Sequence, residues 1–275
     1  MYFKWYTKLH DVLQGWILTL LITNDDGINA PGLWAAVNHL QSFSKIIVVA
    51  PADNQSGTGA SISLKSPVKL IKKINYKDNV QVFSVEGTPS DCVILACEKI
   101  LKNKPELIIS GINSGANLGL DVMLSGTVGA AIHGYLRNIP SIAISVSYKK
   151  KIRFDIAGLM IQKLVSHLNE IRYSKPLLLN VNVPSVELKK IKSLKSTFLG
   201  GSNYQQNVEQ EKTSHETFYW IKSDKKIKKK PSEGSDIWAI DQNHISITKI
   251  EPFFSSSSND SDILYIIDSI NKKYF

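Results

Sequence analysis

The sequence has 275 residues, of which 43% are hydrophobic and 21% charged, and its formal net charge is +9. This ordinary composition excludes disordered, collagen-like and disulfide-rich classes, and the length predicts one large α/β domain or one domain with an appendage. The two cysteines, Cys92 and Cys97, share one apolar run whose spacing suits neither a zinc knuckle nor a disulfide framework. They indicate a reducing compartment, so we expect a cytoplasmic protein.

Two further features limit the expected partners. Much of the excess positive charge lies in the lysine-rich run at 222–230, which is typical of a solvated loop, so no specific nucleic-acid partner is predicted. Residues 1–16 lack the apolar region and small-residue cleavage site of a signal peptide, and we interpret them as an N-terminal extension. The apolar stretch that follows is too short to span a bilayer, so no membrane partner is expected.

Residues 17–199 alternate between apolar runs and helical periodicity. The strands predicted in chain order are WILTLLI, KIIVVAP, QVFSVEG, ELIISGI, SIAISVS and LLLNVNVP. Helices are expected after Pro31, after the cap Thr88, and near 127–137 and 155–169. Strands that are apolar on both faces and joined by helices predict an α/β fold with a mostly parallel sheet covered on both sides. In such sheets, ligands bind at the carboxyl ends of the strands.

The chain changes character near residue 200. Helical periodicity fades, and the runs HETFYWI, DIWAI and HISITKI are interpreted as short β segments among polar, lysine-rich stretches. We therefore expect residues 200–252 to form an extended β-hairpin arm that contacts a partner subunit. Residues 253–275 are expected to be a tail or a helix that packs on the core or on the partner.

The loop after the first strand reads Asn24-Asp25-Asp26-Gly27. Two adjacent carboxylates at the end of a strand repel each other unless a cation or a proton lies between them. A divalent cation would turn this repulsion into ligation. Because Asn, Asp and Gly are also common turn residues, the segment taken alone is equally compatible with a β-turn or a helix cap.

Two later loops are rich in glycine, asparagine and hydroxyl groups. One runs from Gly111 to Gly119, and in the other Ser125-Gly126-Thr127 opens a helix, where free amides and hydroxyls favour phosphate. The alternative for the second loop is a small-residue helix that packs closely on the sheet. Neither a P-loop nor a dinucleotide-binding glycine motif is present. Oxygen donors without a histidine or cysteine cluster favour Mg²⁺, Mn²⁺ or Ca²⁺, and a hard cation beside an anion cradle suits phosphoester hydrolysis.

Five ordered blocks carry a resemblance to a known family. The blocks LLITNDDGINAPG, VVAPADNQSGTGASIS, VEGTPSDCV, PELIISGINSGANLG and SGTVGAAIHG resemble those of the SurE survival-protein family of stationary-phase 5′-nucleotidases. Later blocks, LNVNVP and SDIWAIDQNHISIT, extend the resemblance to about residue 252. It implies a Rossmann-like core, one divalent cation per subunit, and homodimers or homotetramers formed through C-terminal β arms. The implied reaction is hydrolysis of nucleoside 5′-monophosphates by in-line attack of a metal-bound water. Whether 3′-phosphates are also substrates is left open by the resemblance.

The same resemblance implies roles for individual residues. The implied metal ligands are Asp25, Asp26, Ser56 and Asn113, the implied catalytic residues are Asp25, Asp26 and Asn113, and the implied phosphate contacts are Asn117, Ser125, Gly126 and Thr127. Ser56 receives its role only in this way. Departures from the family pattern, including Ala60 in place of a common His and His244 in place of Tyr, bear on substrate preference and oligomer contacts.

Two other functions remain open from the sequence. In haloacid-dehalogenase-like phosphatases an aspartate after the first strand forms an aspartyl-phosphate, but the adjacent acids here lack the Asp-x-Asp spacing of that site. The other alternative is a non-catalytic nucleotide-binding module, which would release no phosphate with any divalent ion.

Overall fold

The computed structural model describes residues 18–42, 44–72, 76–148, 151–170, 176–201, 204–213, 216–226 and 230–252. The predicted extension at 1–16 and the predicted tail at 253–275 lie outside these ranges. The strands are β1 Leu18–Thr23, β2 Ser44–Pro51, β3 Lys69–Lys72, β4 Val80–Glu86, β5 Leu107–Ser114, β6 Ser141–Val146, β7 Leu178–Val183, β8 Leu194–Ser196, β9 Tyr204–Lys212, β10 Thr217–Lys226 and β11 Ile245–Lys249. The α-helices are α1 Pro31–Leu40, α2 Pro89–Leu95, α3 Gly126–Tyr135, α4 Phe154–Glu170 and α5 Asp236–Asp241.

The main sheet has nine strands in the order β3-β4-β2-β1-β5-β6-β7-β11-β8. The central strands from β4 to β7 run parallel, whereas β3 and β11 pair antiparallel with β4 and β7. Strand β1 pairs with β2 on one side and with β5 on the other, so the strand order reverses between β1 and β5. The carboxyl ends of β1 and β5 therefore form the crevice where open α/β sheets bind ligands.

Alternate residues of β1 enter two different hydrophobic cores. Leu20 and Ile22 pack with residues of α1 and α4, while Leu21 packs with residues of α2 and α3. Helices thus cover both faces of the sheet, which confirms the predicted fold class. The thiol of Cys92 is buried in the second core, and neither Cys92 nor Cys97 forms a disulfide.

The start of α2 follows the sequence prediction. The Thr88 hydroxyl accepts a hydrogen bond from the Asp91 N–H at 3.1 Å, and the Asp91 carboxylate accepts one from the Thr88 N–H at 2.9 Å. This reciprocal capping satisfies two amides that a helix leaves unpaired at its first turn. None of the helices in the described ranges combines the length and apolarity that a bilayer crossing requires.

The segment 236–240 corrects the sequence prediction of a β run. It is the helix α5, because the Ser235 hydroxyl caps its first turn by accepting a hydrogen bond from the Trp238 N–H at 3.2 Å. The next run, β11, is a strand as predicted, but it returns to the main sheet beside β7. The separate part of the predicted arm is the two-stranded hairpin β9–β10, while α5 and β11 pack with the core.

Candidate active site

Asp25 follows β1 directly, and contacts from two other loops fix it. The Thr127 hydroxyl donates a hydrogen bond of 2.5 Å to its Oδ1, and the Gln55 N–H donates one of 2.7 Å to its carbonyl oxygen. A Cβ at Gly126 would lie 2.9 Å from the Asp25 Cβ, so glycine allows the first turn of α3 to reach this aspartate. Asp25 is consequently only 4% exposed.

Asp26 is half-buried and faces the end of β5. Its Oδ2 accepts a hydrogen bond of 3.1 Å from the Ser114 N–H. The neighbouring Asn113 donates its side-chain amide to the Gly115 carbonyl at 2.7 Å, so its Oδ1 oxygen is the atom available as an acceptor. Ser56 is exposed in the loop after β2, next to the Gln55 that contacts Asp25. The structure therefore places Asp25, Asp26 and Ser56 in loops at the β1–β5 crevice and Asn113 near the end of β5 beside them.

Burial disfavours the charged forms of both aspartates, and at Asp25 the neighbouring charge of Asp26 adds to this effect. Burial, with a further contribution from the Asp26 charge, raises the pKa of Asp25 to about 6, although the Thr127 hydroxyl works in the opposite direction. Burial also raises the pKa of Asp26, against the stabilising Ser114 N–H. A divalent cation between the carboxylates would offset both costs. The donor set of carboxylate, hydroxyl and amide oxygens fits a hard cation such as Mg²⁺, Mn²⁺ or Ca²⁺.

This electrostatic strain predicts a pH-dependent effect of Asp25→Asn on the metal-free protein. The folded-state pKa of Asp25 lies above its unfolded value of 3.8, so its contribution to stability is complete below about pH 4 and is lost as the pH rises through about 6. We expect the Asp25→Asn variant and the wild type to unfold with similar free energies near pH 4. By pH 7.5 the variant should be more stable by up to about 3 kcal/mol.

Urea unfolding in EDTA across this pH range measures the difference. The exposed Asp78→Asn serves as the matched control, because it removes one carboxylate outside the crevice. A stability difference for Asp25→Asn that stays constant between pH 4 and 7.5 would show that ionisation of Asp25 does not strain the fold.

The hydroxyls that the sequence assigned to phosphate have partners within the protein. The buried Ser125 caps α3 by accepting a hydrogen bond from the Val128 N–H at 3.1 Å. The hydroxyl of the fully buried Thr127 donates a hydrogen bond to Asp25, and the Thr127 backbone N–H also helps to lower the pKa of that carboxyl. These contacts tie the start of α3 to Asp25. Within the described residues, the Gly126 N–H is the amide of this turn that has no assigned hydrogen-bond acceptor.

Asn117 lies further along the sheet, in a set of buried polar side chains. Its N–H donates to Asn182 and its side-chain amide to Ser145, both at 2.9 Å. Its carbonyl oxygen accepts from the side chains of Asn180 and Asn182 at 2.8 and 3.0 Å. No hydrogen bond among the described residues joins Asn117 to Asp25 or Asp26, so the Asn117 loop is positioned by β6 and β7.

Sequence analysis missed Asn180, Asn182 and Asp236. The two asparagines alternate within the apolar run of β7, and that spacing is the one local signal that both face the same side. Asp236 is fully buried and accepts hydrogen bonds from the N–H groups of Gly119, Gly200 and Ile237 at 2.7, 2.9 and 2.8 Å. Burial raises the pKa of Asp236, against these donors. Its partners are far apart in the sequence, so no local pattern reveals it.

Across the described ranges, no three His, Cys, Asp or Glu side chains are grouped so that they could hold a metal ion. A cation at the crevice would therefore depend on the two adjacent aspartates together with neutral oxygen donors.

Comparisons with known proteins agree with this architecture. The family model described as "Survival protein SurE" matches residues 20–206. A protein named 5′-nucleotidase SurE from Dehalococcoides mccartyi is 37% identical over 235 residues, which cover 85% of this chain and 88% of the relative. Another of that name, from Prochlorococcus marinus subsp. pastoris, is 38% identical over 86% of this chain and 91% of the relative.

A solved structure extends the similarity to three dimensions. The crystal structure of the SurE protein from Aquifex aeolicus superposes with a TM-score of 0.77 at 34% sequence identity. The match covers 91% of this chain and all of that one (100%). Together with the family match over the core strands and the crevice, these similarities lead to one conclusion: the chain belongs to the SurE survival-protein family.

Proposed function

We propose that this protein is a metal-dependent phosphomonoesterase that hydrolyses nucleoside 5′-monophosphates to nucleoside and phosphate. The observation that carries the proposal is the pair of adjacent carboxylates, Asp25 and Asp26, at the crevice between β1 and β5. The 5′-nucleotidase names of the relatives support the substrate class. Nucleoside 3′-monophosphates are a second candidate substrate.

The residues that would hold one divalent cation are Asp25, Asp26, Ser56 and Asn113. The side chain of Thr127 binds Oδ1 of Asp25 and the Ser114 N–H binds Oδ2 of Asp26, so Oδ2 of Asp25 and Oδ1 of Asp26 are the oxygens proposed to hold the cation. The Asn113 Oδ1 and the Ser56 hydroxyl supply neutral oxygens. When bound, such a cation polarises a phosphoryl oxygen and lowers the pKa of a water molecule.

The chain's own groups then orient the phosphate. The Gly126 N–H lies at the N-terminus of the ten-residue helix α3, where the helix dipole favours an anion. Asn117 is proposed to contact the phosphate from the opposite loop. Ser125 and Thr127 act indirectly in this proposal, because one caps α3 and the other holds Asp25.

Water would attack phosphorus in line with the nucleoside oxygen, so that the new P–O bond forms as the bond to that oxygen breaks. A site carboxylate accepts a proton from the water, and the departing oxygen takes up a proton and leaves as the nucleoside hydroxyl. Asp25, the sequence-based candidate for this base, already uses Oδ1 to accept from Thr127. Its Oδ2 would therefore both hold the cation and accept the proton, and the same would apply to Oδ1 of Asp26, whose Oδ2 accepts from the Ser114 N–H.

A substrate panel tests this function. Phosphate release from adenosine 5′-monophosphate, adenosine 3′-monophosphate and an aryl phosphate is measured in EDTA and with Mg²⁺, Mn²⁺ or Ca²⁺. We expect release that requires a divalent cation and is fastest with the 5′-nucleotide. No release with any of the three cations would favour the nucleotide-binding module, and a phosphoenzyme trapped by acid quench would favour the aspartyl-phosphate mechanism.

The hairpin β9–β10 supports a homo-oligomer, dimer or tetramer. Val208 pairs with Ile221, and both are exposed, at 62% and 79%, with Tyr219 on the same face of the hairpin. A two-stranded sheet is marginally stable by itself, and an exposed apolar face favours a partner. Sedimentation velocity at micromolar concentration should therefore give at least a dimer.

Two variants locate the contact. Ile221→Lys should weaken the assembly, whereas Glu209→Gln, which removes the ion pair with Lys222 on the opposite face, should leave it intact. A wild-type monomer would refute the oligomer, and a dimer insensitive to Ile221→Lys would exclude this face as the contact.

A further inference from the structure

Asp236 connects two segments that are remote in the sequence. Its Oδ2 accepts the hydrogen bond from the Gly119 N–H, while its Oδ1 accepts those from the Gly200 and Ile237 N–H groups. Gly119 lies two residues after Asn117, and Gly200 lies shortly before β9, the first strand of the hairpin. One buried carboxylate thus joins the Asn117 loop to the base of the arm.

The Asn117 loop is held from two sides. On the first side, the buried side chains of Ser145, Asn180 and Asn182 bind Asn117 itself. On the other side, Gly119 adopts a φ of +55°, and a Cβ there would lie 2.0 Å from the Gly201 carbonyl oxygen. The backbones of Gly119 and Gly201 lie so close together that no side chain fits between them. The position of the Asn117 loop therefore depends on the 200–201 turn, which Asp236 holds in place.

We infer that Asp236 is a positioning residue for substrate binding, which acts by holding the Asn117–Gly119 loop against the 200–201 turn. The inference rests on the proposed function, since it assigns Asn117 to the phosphate. Through Asp236, the base of the hairpin arm also helps to position the Asn117 loop. A displacement of that base would therefore move the loop.

The chemistry of the contact permits a selective test. Asparagine at position 236 has one acceptor oxygen and one amide group, and the amide cannot accept from an N–H. If the oxygen keeps the bonds from Gly200 and Ile237, the new amide faces the Gly119 N–H. Asp236→Asn therefore removes the bond to the site loop while retaining two of the three bonds that fix α5.

The experiment compares Asp236→Asn with the exposed Glu233→Gln, a matched loss of one charge in the same segment. Amide hydrogen exchange should accelerate at Gly119 in Asp236→Asn and stay near the wild-type rate at Gly200. For adenosine 5′-monophosphate hydrolysis, KM should rise roughly tenfold with a smaller change in kcat, since loss of a hydrogen bond to a charged group weakens positioning by about that factor. Glu233→Gln should match the wild type in both readouts.

The outcomes separate this inference from the proposed function. If the wild type releases no phosphate, the proposed function fails, while exchange at Gly119 still tests the contact. If Asp236→Asn accelerates exchange but leaves KM unchanged, the residue is structural and the inference is overturned. Normal exchange at Gly119 would overturn it as well. The Asn117→Ala/Asp236→Asn double variant should have nearly the KM of Asn117→Ala, whereas additive effects would show that Asp236 does not act through Asn117.

Discussion

Asp25→Asn and Asp26→Asn are each expected to lower the rate of phosphate release from adenosine 5′-monophosphate by about a thousandfold while the fold stays intact. Each substitution removes one of the two charges that would hold the cation, and electrostatic stabilisation by a metal ion contributes several kcal/mol to the transition state. The Asn side chain keeps an oxygen for Thr127 or Ser114, so local hydrogen bonding is largely preserved.

The controls for this result are the exposed Asp78→Asn and thermal unfolding of each variant. Asp78→Asn should retain wild-type turnover, and the crevice variants should melt no lower than the wild type in EDTA. Turnover unchanged in both Asp25→Asn and Asp26→Asn would exclude the carboxylate pair as the catalytic metal site.

Thr127→Val is expected to weaken activation by Mn²⁺ by about 10- to 100-fold. The hydroxyl is fully buried and donates to Oδ1 of Asp25, so valine, which is nearly isosteric, leaves that oxygen without its donor. Loss of a group that orients a metal ligand commonly lowers metal affinity by this factor. Saturating Mn²⁺ should restore most of kcat, because Thr127 is proposed to contact Asp25 and not the phosphate.

A direct role of Thr127 at phosphorus predicts a different pattern. A hydroxyl that stabilises the transition state would lower kcat by about two to three orders of magnitude even at saturating Mn²⁺. Mn²⁺ titration of kcat in Thr127→Val separates the two roles. Ser125→Ala is the companion variant, because it removes the cap of α3 and leaves the bond between Thr127 and Asp25 in place. Wild-type Mn²⁺ activation in Thr127→Val would contradict the proposed role.

The fold was predictable because its signals are local. Four of the six residues of β1 are apolar and α1 follows a helical period, so composition and spacing indicate their types, and Thr88 with Asp91 marks the start of α2. The prediction for segment 236–240 was wrong because its apolar residues resemble a short strand, whereas the Ser235 side chain caps the first turn of a helix there.

The candidate site was predictable only in part. Adjacent Asp25 and Asp26 after a strand are a local signal, and the sheet order then brings β5 and its Asn113 beside them. The partner of Thr127 could not be read from the sequence, because Asp25 lies 102 positions away and the close packing of Gly126 on Asp25 is a contact of the folded chain. Asp236 was missed for the same reason, since its partner Gly119 is 117 positions distant.

Asp25 and Asp26 are proposed to hold together the cation on which hydrolysis depends. The most direct test titrates Mn²⁺ into metal-free protein, counting bound ions by electron paramagnetic resonance while phosphate release is measured on the same samples. We expect one tightly bound Mn²⁺ per chain, activity that rises in proportion to its occupancy, and loss of both in the Asp25→Asn/Asp26→Asn variant. Full activity in metal-free protein, or tight Mn²⁺ binding that survives in the double variant, would contradict it.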